Sequence, residues 1–181
     1  MESSASSESK SADVRFLGVL SDTHDRADAA AAGIATLRGA GAQFLIHCGD
    51  VGSERILDLL AGLLCLFVWG NNDYDRASLQ RYAEEIGLQC GGDFAELNLG
   101  GKKIAVTHGD NGRLLHQATA ADSAYDYLFI GHSHIPADQR KGKLRIVNPG
   151  ALYRAAKKTV AIVDLKEDVV RHLVVKDVIG H

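Results

Sequence analysis

After a polar opening, the chain settles into a repeating pattern: an apolar run of strand length, a polar turn, then a stretch with apolar residues at helical spacing. The run Phe16-Leu17-Gly18-Val19-Leu20 predicts a buried strand, and the Ala-rich residues 28–38 a helix ended by Gly39-Ala40-Gly41. A second unit has a strand over 44–47 and a helix over 53–61, with Ser53 as N-cap and Ile56, Leu59 and Leu60 on one face. A third has a strand over 64–68 and a helix over 78–86. Strand and helix alternating in this way make parallel strands with helices outside them.

The rhythm then changes. Residues 94–99 and 102–107 are strand-like and joined only by Gly100-Gly101, the mark of a two-residue hairpin, so an antiparallel element enters. A helix over 113–121, a strand over 127–130 and three late strands over 144–147, 159–165 and 169–175 follow, the last two forming a hairpin around Lys166-Glu167-Asp168. The sum is an α/β fold of two packed mixed sheets with helices on both outer faces, a four-layer αββα sandwich. Residues 1–12, rich in Ser with alternating Glu and Lys, predict a disordered tail, and residues 13–181 a single domain.

Composition removes several function classes. A formal net charge of -3 argues against a broad basic face, so neither long nucleic acid nor an anionic membrane is an expected partner. A small anionic substrate then requires positive charge supplied locally. Cys48, Cys65 and Cys90 are odd in number and lack a paired metal-binding spacing, which fits free thiols in a reducing compartment. No apolar stretch could span a bilayer and the opening residues lack a signal-peptide core, so cytoplasm is the expected location.

The chemistry lies in five polar clusters, each following an apolar run: Asp22-Thr23-His24, Gly49-Asp50, Gly70-Asn71-Asn72-Asp73, His108-Gly109 and Gly131-His132-Ser133-His134. Taken singly, each is also what a turn, an N-cap or a strand-end histidine would supply. Jointly they place Asp and Asn oxygens with His nitrogens past the carboxyl ends of strands, where open α/β sheets gather ligands. Those mixed donors suit Mn, Fe or Zn, and also Ni or Co, so the clusters predict one site for two divalent ions; Mn is the expected ion, with availability and not affinity deciding among the five. Four positive charges exceed the carboxylates these clusters supply, which makes an anion-attracting pit in an acidic chain. Two such ions about 3.5 to 4 Å apart generate a bound hydroxide and clamp both oxygens of an in-line displacement, which is the chemistry of phosphoester hydrolysis.

The order of these clusters resembles the calcineurin-like metallophosphoesterases, in particular the small single-domain bacterial and archaeal phosphodiesterase branch, over nearly the whole chain from Arg15. Asn148-Pro149-Gly150 is similar to a segment that often follows the last His motif of that branch. The resemblance implies that Asp22, His24 and His134 hold one ion, that Asn71, His108 and His132 hold the other, and that Asp50 bridges them. It also implies a small phosphodiester substrate, nucleotides among the candidates, with a phosphomonoesterase as the nearest alternative. The chain departs from the family pattern at Asn72, where many members carry a His that protonates the leaving group. Asn can donate a hydrogen bond to a phosphoryl oxygen but cannot deliver a proton.

Four neighbouring residues complete the reading. Asp73 is a candidate acceptor orienting a ligand His, Arg76 and Arg113 read as solvated helix residues with phosphate contact as the rival, and Trp69 reads as core, with a stacking surface for a nucleotide ring as the rival. A non-catalytic scaffold of the same fold, like the retromer subunit, is the alternative from another class; the intact set of seven metal-competent positions favours the enzyme. Strand edges leave a homodimer open.

Overall fold

The computed structural model describes residues 14–176, so the predicted tail over residues 1–12 lies outside the described residues. Eleven strands and four helices follow the order expected of two mixed sheets. The first half runs β1 (Phe16–Leu20), α1 (Ala27–Gly39), β2 (Phe44–His47), α2 (Glu54–Leu60), β3 (Cys65–Phe67), α3 (Arg76–Glu85) and β4 (Gln89–Cys90). The second half runs β5 (Phe94–Leu99), β6 (Lys102–Thr107), α4 (Gly112–Ala118), β7 (Tyr127–Phe129), β8 (Ala137–Lys141), β9 (Leu144–Asn148), β10 (Thr159–Asp164) and β11 (Val169–Val174).

The first sheet has the order β11-β10-β1-β2-β3-β4 and the second β5-β6-β7-β9-β8. Strands β1 to β4 pair in parallel, whereas β10 and β11 add antiparallel at the β1 edge. In the second sheet β6, β7 and β9 are parallel, flanked by antiparallel β5 and β8. The Gly100-Gly101 hairpin sets Leu99 opposite Lys102.

Alternation along the strands shows why the layers number four. Leu17 and Val19 of β1, with Ala161 and Val163 of β10, point into the core between the sheets, where they meet Ile104, Val106, Tyr127 and Phe129. The alternate residues Leu20, Val160 and Ile162 face the other way, against Ile34 and Leu37 of α1 and Ile56 and Leu57 of α2. On the second sheet Ala105 and Leu128 face outward to Ala118 of α4. Strands buried on both faces read as unbroken apolar runs, which is how the sequence displayed them.

The structure adjusts several details. In α2 the buried residues are Ile56, Leu57 and Leu60, so Leu57 takes the place expected of Leu59. Ser53 stands at the N-cap but its hydroxyl donates to Asp25 instead of receiving a helix amide. Helix α4 ends at Ala118, short of residue 121, and is capped by Asn111, whose Oδ1 accepts from the N–H groups of Arg113 and Leu114. Strands β4 and β8 were not expected. Trp69 is core: it is buried and packs edge-on to Phe67 at 5.0 Å, which removes it as a stacking surface. Among the described residues all three cysteines are free thiols, and no helix is long and apolar enough to cross a membrane.

Candidate metal centre

The five clusters converge. Asp22 and His24 follow β1, Asp50 follows β2, Asn71 follows β3, His108 follows β6, and His132 and His134 follow β7. Parallel strands from both sheets therefore point their carboxyl ends at one spot. Backbone hydrogen bonds tie the tips together: Asp22 N–H to Gly49 O at 3.0 Å, His24 N–H to Asp50 O at 3.0 Å, and Gly131 N–H to His108 O at 2.8 Å. His132 N–H donates to Asp22 Oδ2 at 3.2 Å, joining the two sheets across the site.

Such close approach explains two of the glycines. A Cβ on Gly70 would lie 2.2 Å from Asp50 Oδ1, and one on Gly131 would lie 2.0 Å from Ser21 Oγ and 2.8 Å from Asp22 Oδ2. The ligand candidates themselves are bent hard. Asp22, His24, Asp50, His132 and His134 all have left-handed backbone, with φ between 43° and 65°, a conformation that costs energy and persists at functional sites.

Within the pit, Asp50 Oδ2 lies 3.3 Å from His24 Nε2 and 3.4 Å from His108 Nε2. Asp22 Oδ1 lies 3.2 Å from His134 Nε2 and 3.9 Å from His24 Nε2. Asn71 Oδ1 sits between His108 Nε2 at 3.1 Å and His132 Nδ1 at 3.0 Å. Asp22, Asp50 and His108 are buried, whereas His24 and His134 reach towards solvent. A cavity of about 300 Å³ opens onto them, lined also by Asn72, Tyr153 and Arg154.

Two observations fit a bound cation. Asp22 Oδ1 and His24 Nε2, with Ser21 Oγ, are buried without a hydrogen bond; their nearest polar contacts, His134 Nε2 at 3.2 Å and Asp50 Oδ2 at 3.3 Å, are themselves candidate metal donors, so a metal would complete the carboxylate oxygen and the imidazole nitrogen. One donor atom from each of Asp22, His24 and His134 lies within 4.8 Å of the others, as does one from each of Asp22, Asp50 and His108. Hard carboxylate oxygens with imidazole nitrogens are a suitable donor set for Mn, Fe or Zn. Electrostatics are equally one-sided. Burial works against charge on Asp50, but hydrogen bonds from His108 and from the side chain and backbone of Asn72 outweigh it, holding the carboxyl well below the usual carboxylate range. Burial lowers the His24 pKa despite Asp50 and Asp22 nearby.

The supporting residues differ in part from expectation. Asp73 touches no histidine: its Oδ1 accepts from Gly52 N–H at 2.9 Å and its Oδ2 from Gly70 N–H at 2.8 Å, so it locks two ligand-bearing loops together. Arg76 is engaged within the protein, donating to Gly70 O at 2.8 Å, Asp73 O at 3.0 Å and Asp93 Oδ1 at 2.7 Å, which commits three of its five N–H donors, and it does not line the pit. Arg113 lies exposed in the first turn of α4 and does not line the pit. Asn72 does line it, with Nδ2 donating to Asp50 Oδ2 and N–H to Asp50 Oδ1, both at 2.8 Å.

Sequence reasoning missed Tyr153 and Arg154. The signal available was their position just after Asn148-Pro149-Gly150, a segment the structure places at the site: Asn148 Nδ2 donates to Gly131 O at 2.7 Å and to Ser133 Oγ at 3.1 Å, holding the His132–His134 loop. It also missed His47, buried beneath the site, which accepts from Gly49 N–H at Nδ1 and pairs through Nε2 with Thr23 Oγ1 at 2.9 Å.

A fold of this topology with metal-competent residues at five strand exits defines a phosphoesterase of a known class. The chain belongs to the calcineurin-like phosphoesterase superfamily, whose domain matches residues 16–168. It is 26% identical over 165 residues to phosphodiesterase MJ0936 of Methanocaldococcus jannaschii, covering 88% of this chain and 99% of that protein. Among solved structures it is similar to a novel archaeal phosphodiesterase, with a TM-score of 0.80 and 25% identity over 88% of this chain and 99% of the other. Vps29 of Entamoeba histolytica, solved with zinc, shares the fold at a TM-score of 0.60 and 16% identity, over 89% of this chain and 99% of the other.

Proposed function

We propose that the chain is a two-metal phosphodiesterase acting on a small phosphodiester, in which Asp22, His24 and His134 hold one ion, Asn71, His108 and His132 the other, and Asp50 both. The observation that carries this reading is the pair of orphaned buried atoms, Asp22 Oδ1 and His24 Nε2, inside a ring of donors that also includes Asp50 between His24 and His108. When bound, two divalent ions supply Lewis acidity and a water activated for in-line attack on phosphorus.

The chain's own groups do the rest. Arg154, on the wall of the pit, contributes positive charge beside an incoming phosphate. Asn72 fixes Asp50 through one amide hydrogen and keeps the second for a phosphoryl oxygen. Tyr74 O–H donates to Asn72 Oδ1 at 3.1 Å, which sets the amide orientation. None of these side chains is a strong proton donor at neutral pH, so substrates with good leaving groups are favoured. The diester preference follows the name phosphodiesterase carried by the archaeal relative and by the archaeal solved structure.

The test is hydrolysis of bis-(p-nitrophenyl) phosphate by chelator-stripped protein, with and without Mn²⁺, beside Asp50→Asn. Activity restored by metal and lowered more than about 100-fold in the variant is the expected result. Tight binding of two ions without turnover of this diester or of p-nitrophenyl phosphate would refute the enzymatic reading, and faster turnover of the monoester would overturn the diester assignment.

A further inference from the structure

Beside the pit lies a larger cleft of about 510 Å³, and the two share Tyr153 and Arg154 in their walls. Arg26, Arg55, Arg154 and Lys158 line the cleft against only two carboxylates, Asp25 and Asp28. Asp25 is moreover engaged, receiving the Ser53 hydroxyl and lying 4.0 Å from Arg55 Nη1. This is a local positive excess in a chain whose formal net charge is -3. The first residues of α1, Ala27, Asp28 and Ala29, form part of the same wall; no side chain caps the helix at Arg26, and its dipole offsets the Asp28 carboxylate in that first turn.

The partition between pit and cleft is an organised stack. The Tyr153 ring lies 5.1 Å from the His24 ring, and the guanidinium carbons of Arg26 and Arg154 lie 4.7 Å and 5.1 Å from its centroid. Arg154 holds its place through a left-handed backbone, φ 47°. Three residues thus couple a ligand candidate on one side to a cationic wall on the other.

We infer that the cleft receives a second, non-scissile phosphate of the substrate, so that the preferred substrate class is a phosphoester carrying at least one further phosphate, as in nucleoside oligophosphates. This rests on the phosphodiesterase reading of the pit. On this assignment one substrate spans the Tyr153 partition, its reacting phosphorus at the donors of the pit and its remaining charge against Arg26.

Two measurements test it separately from that reading. In the first, the ¹⁵N-labelled full chain, dialysed against chelator, is titrated with inorganic tripolyphosphate. Amide shifts centred on residues 26–29 and 153–154 are expected, weakened in Arg26→Ala and largely recovered in Arg26→Lys. Shifts confined to the pit, or absent, overturn the cleft assignment. In the second, kcat/KM of the Mn²⁺-loaded protein is compared between bis-(p-nitrophenyl) phosphate and the p-nitrophenyl γ-ester of a nucleoside triphosphate. The wild type should prefer the nucleotide ester, and Arg26→Ala should reduce that preference about tenfold, the loss of one charge-assisted contact. An unchanged preference, or an equal fall on both substrates, overturns the proposal. Turnover of neither ester, with cleft shifts intact, refutes the hydrolase reading and the substrate assignment together; turnover without cleft shifts refutes the second-phosphate site alone.

Discussion

Asp73→Asn isolates the clamp that holds the metal-site loops, because it changes one buried group and no proposed ligand. The Asp73 carboxylate is 3% exposed and accepts the N–H of Gly52 with one oxygen and the N–H of Gly70 with the other. In asparagine one oxygen becomes an NH₂ group, so one backbone donor faces another donor. The lost hydrogen bond to a charged acceptor is worth about 1.5–3 kcal/mol, and the stranded donors add about 1–3 kcal/mol. Burial acts the other way: it raises the Asp73 pKa against the pull of the Gly70, Gly52 and Val51 amides, so removing the charge relieves some desolvation. Hydrogen bonding outweighs that relief, since two converging amides cannot both be satisfied by one carbonyl oxygen placed for a single donor. A net loss of roughly 2–3 kcal/mol results. Urea unfolding of chelated wild type and variant, followed by circular dichroism, measures it, and Mn²⁺ titration of both should show weaker binding in the variant, about 10- to 100-fold. Equal midpoints together with equal Mn²⁺ affinity would refute the clamp.

Further expectations concern packing, pH and metal. Gly131→Ala places a Cβ 2.0 Å from Ser21 Oγ and 3.0 Å from Ser21 Cβ, so a melting scan should show a loss of about 1–3 kcal/mol; a stability equal to wild type would mean the β1 and β7 tips are farther apart than described. Burial, with His108 nearby, pushes the pKa of His47 down to about 3. A depressed histidine stays neutral in the fold while the unfolded chain takes up a proton below about pH 6.5, so its contribution is full above that pH and is lost as pH falls towards 3, at about 1.4 kcal/mol per unit. His47→Gln keeps a donor for Thr23 and should flatten the stability-pH curve by that slope between pH 6 and 4; parallel curves for the two proteins would contradict a buried neutral imidazole. Addition of Mn²⁺ to 100 times its dissociation constant should stabilise the fold by about 2.7 kcal/mol, reversed by chelator, and a midpoint indifferent to Mn²⁺ would argue against a metal site.

Elements were legible in the sequence where both faces of a strand are buried. Residues 16–20, 44–46 and 160–163 show apolar runs because each strand supplies two cores at once. Strand β8, Ala137–Lys141, could not be read from Ala-Asp-Gln-Arg-Lys: it is an outer strand, paired only to β9, and its side chains are mostly exposed, so no core imposes a pattern on it. Strand β4 is two residues long, too short to show a period. At the site, the convergence of the seven candidate residues was legible because Asp, Asn and His at strand exits are poor core material. Arg76, offered as a candidate phosphate contact beside the plainer reading of a solvated helix residue, shows a physical limit: nearness in sequence to a ligand says nothing of which way a long side chain turns, and this one turns to the carbonyls of its own loop. Tyr153 and Arg154 carry no periodicity or motif of their own; only their position just after Asn148-Pro149-Gly150 points to the site, and their place on its wall depends on β10 returning beside β1.

The left-handed backbone at Asp22, His24, Asp50, His132 and His134 bears on how metal and fold are coupled. Such conformations cost on the order of 1 kcal/mol or more each and survive only where the surroundings over-determine them. Here each bent residue is pinned by a partner from a different strand: Asp22 by Gly49, His24 by Asp50, and the His132–His134 loop by Asn148 and Asp22. The tips therefore hold one another, and the sheets beneath hold the tips. Ions binding to such a frame have little chain to order, so the binding free energy is available to relieve the orphaned donors and to polarise the substrate. The same interlocking means that damage to one tip is felt at the others. Asp73, Gly131 and Asn148, none of them proposed ligands, should thus influence metal affinity as surely as they influence stability.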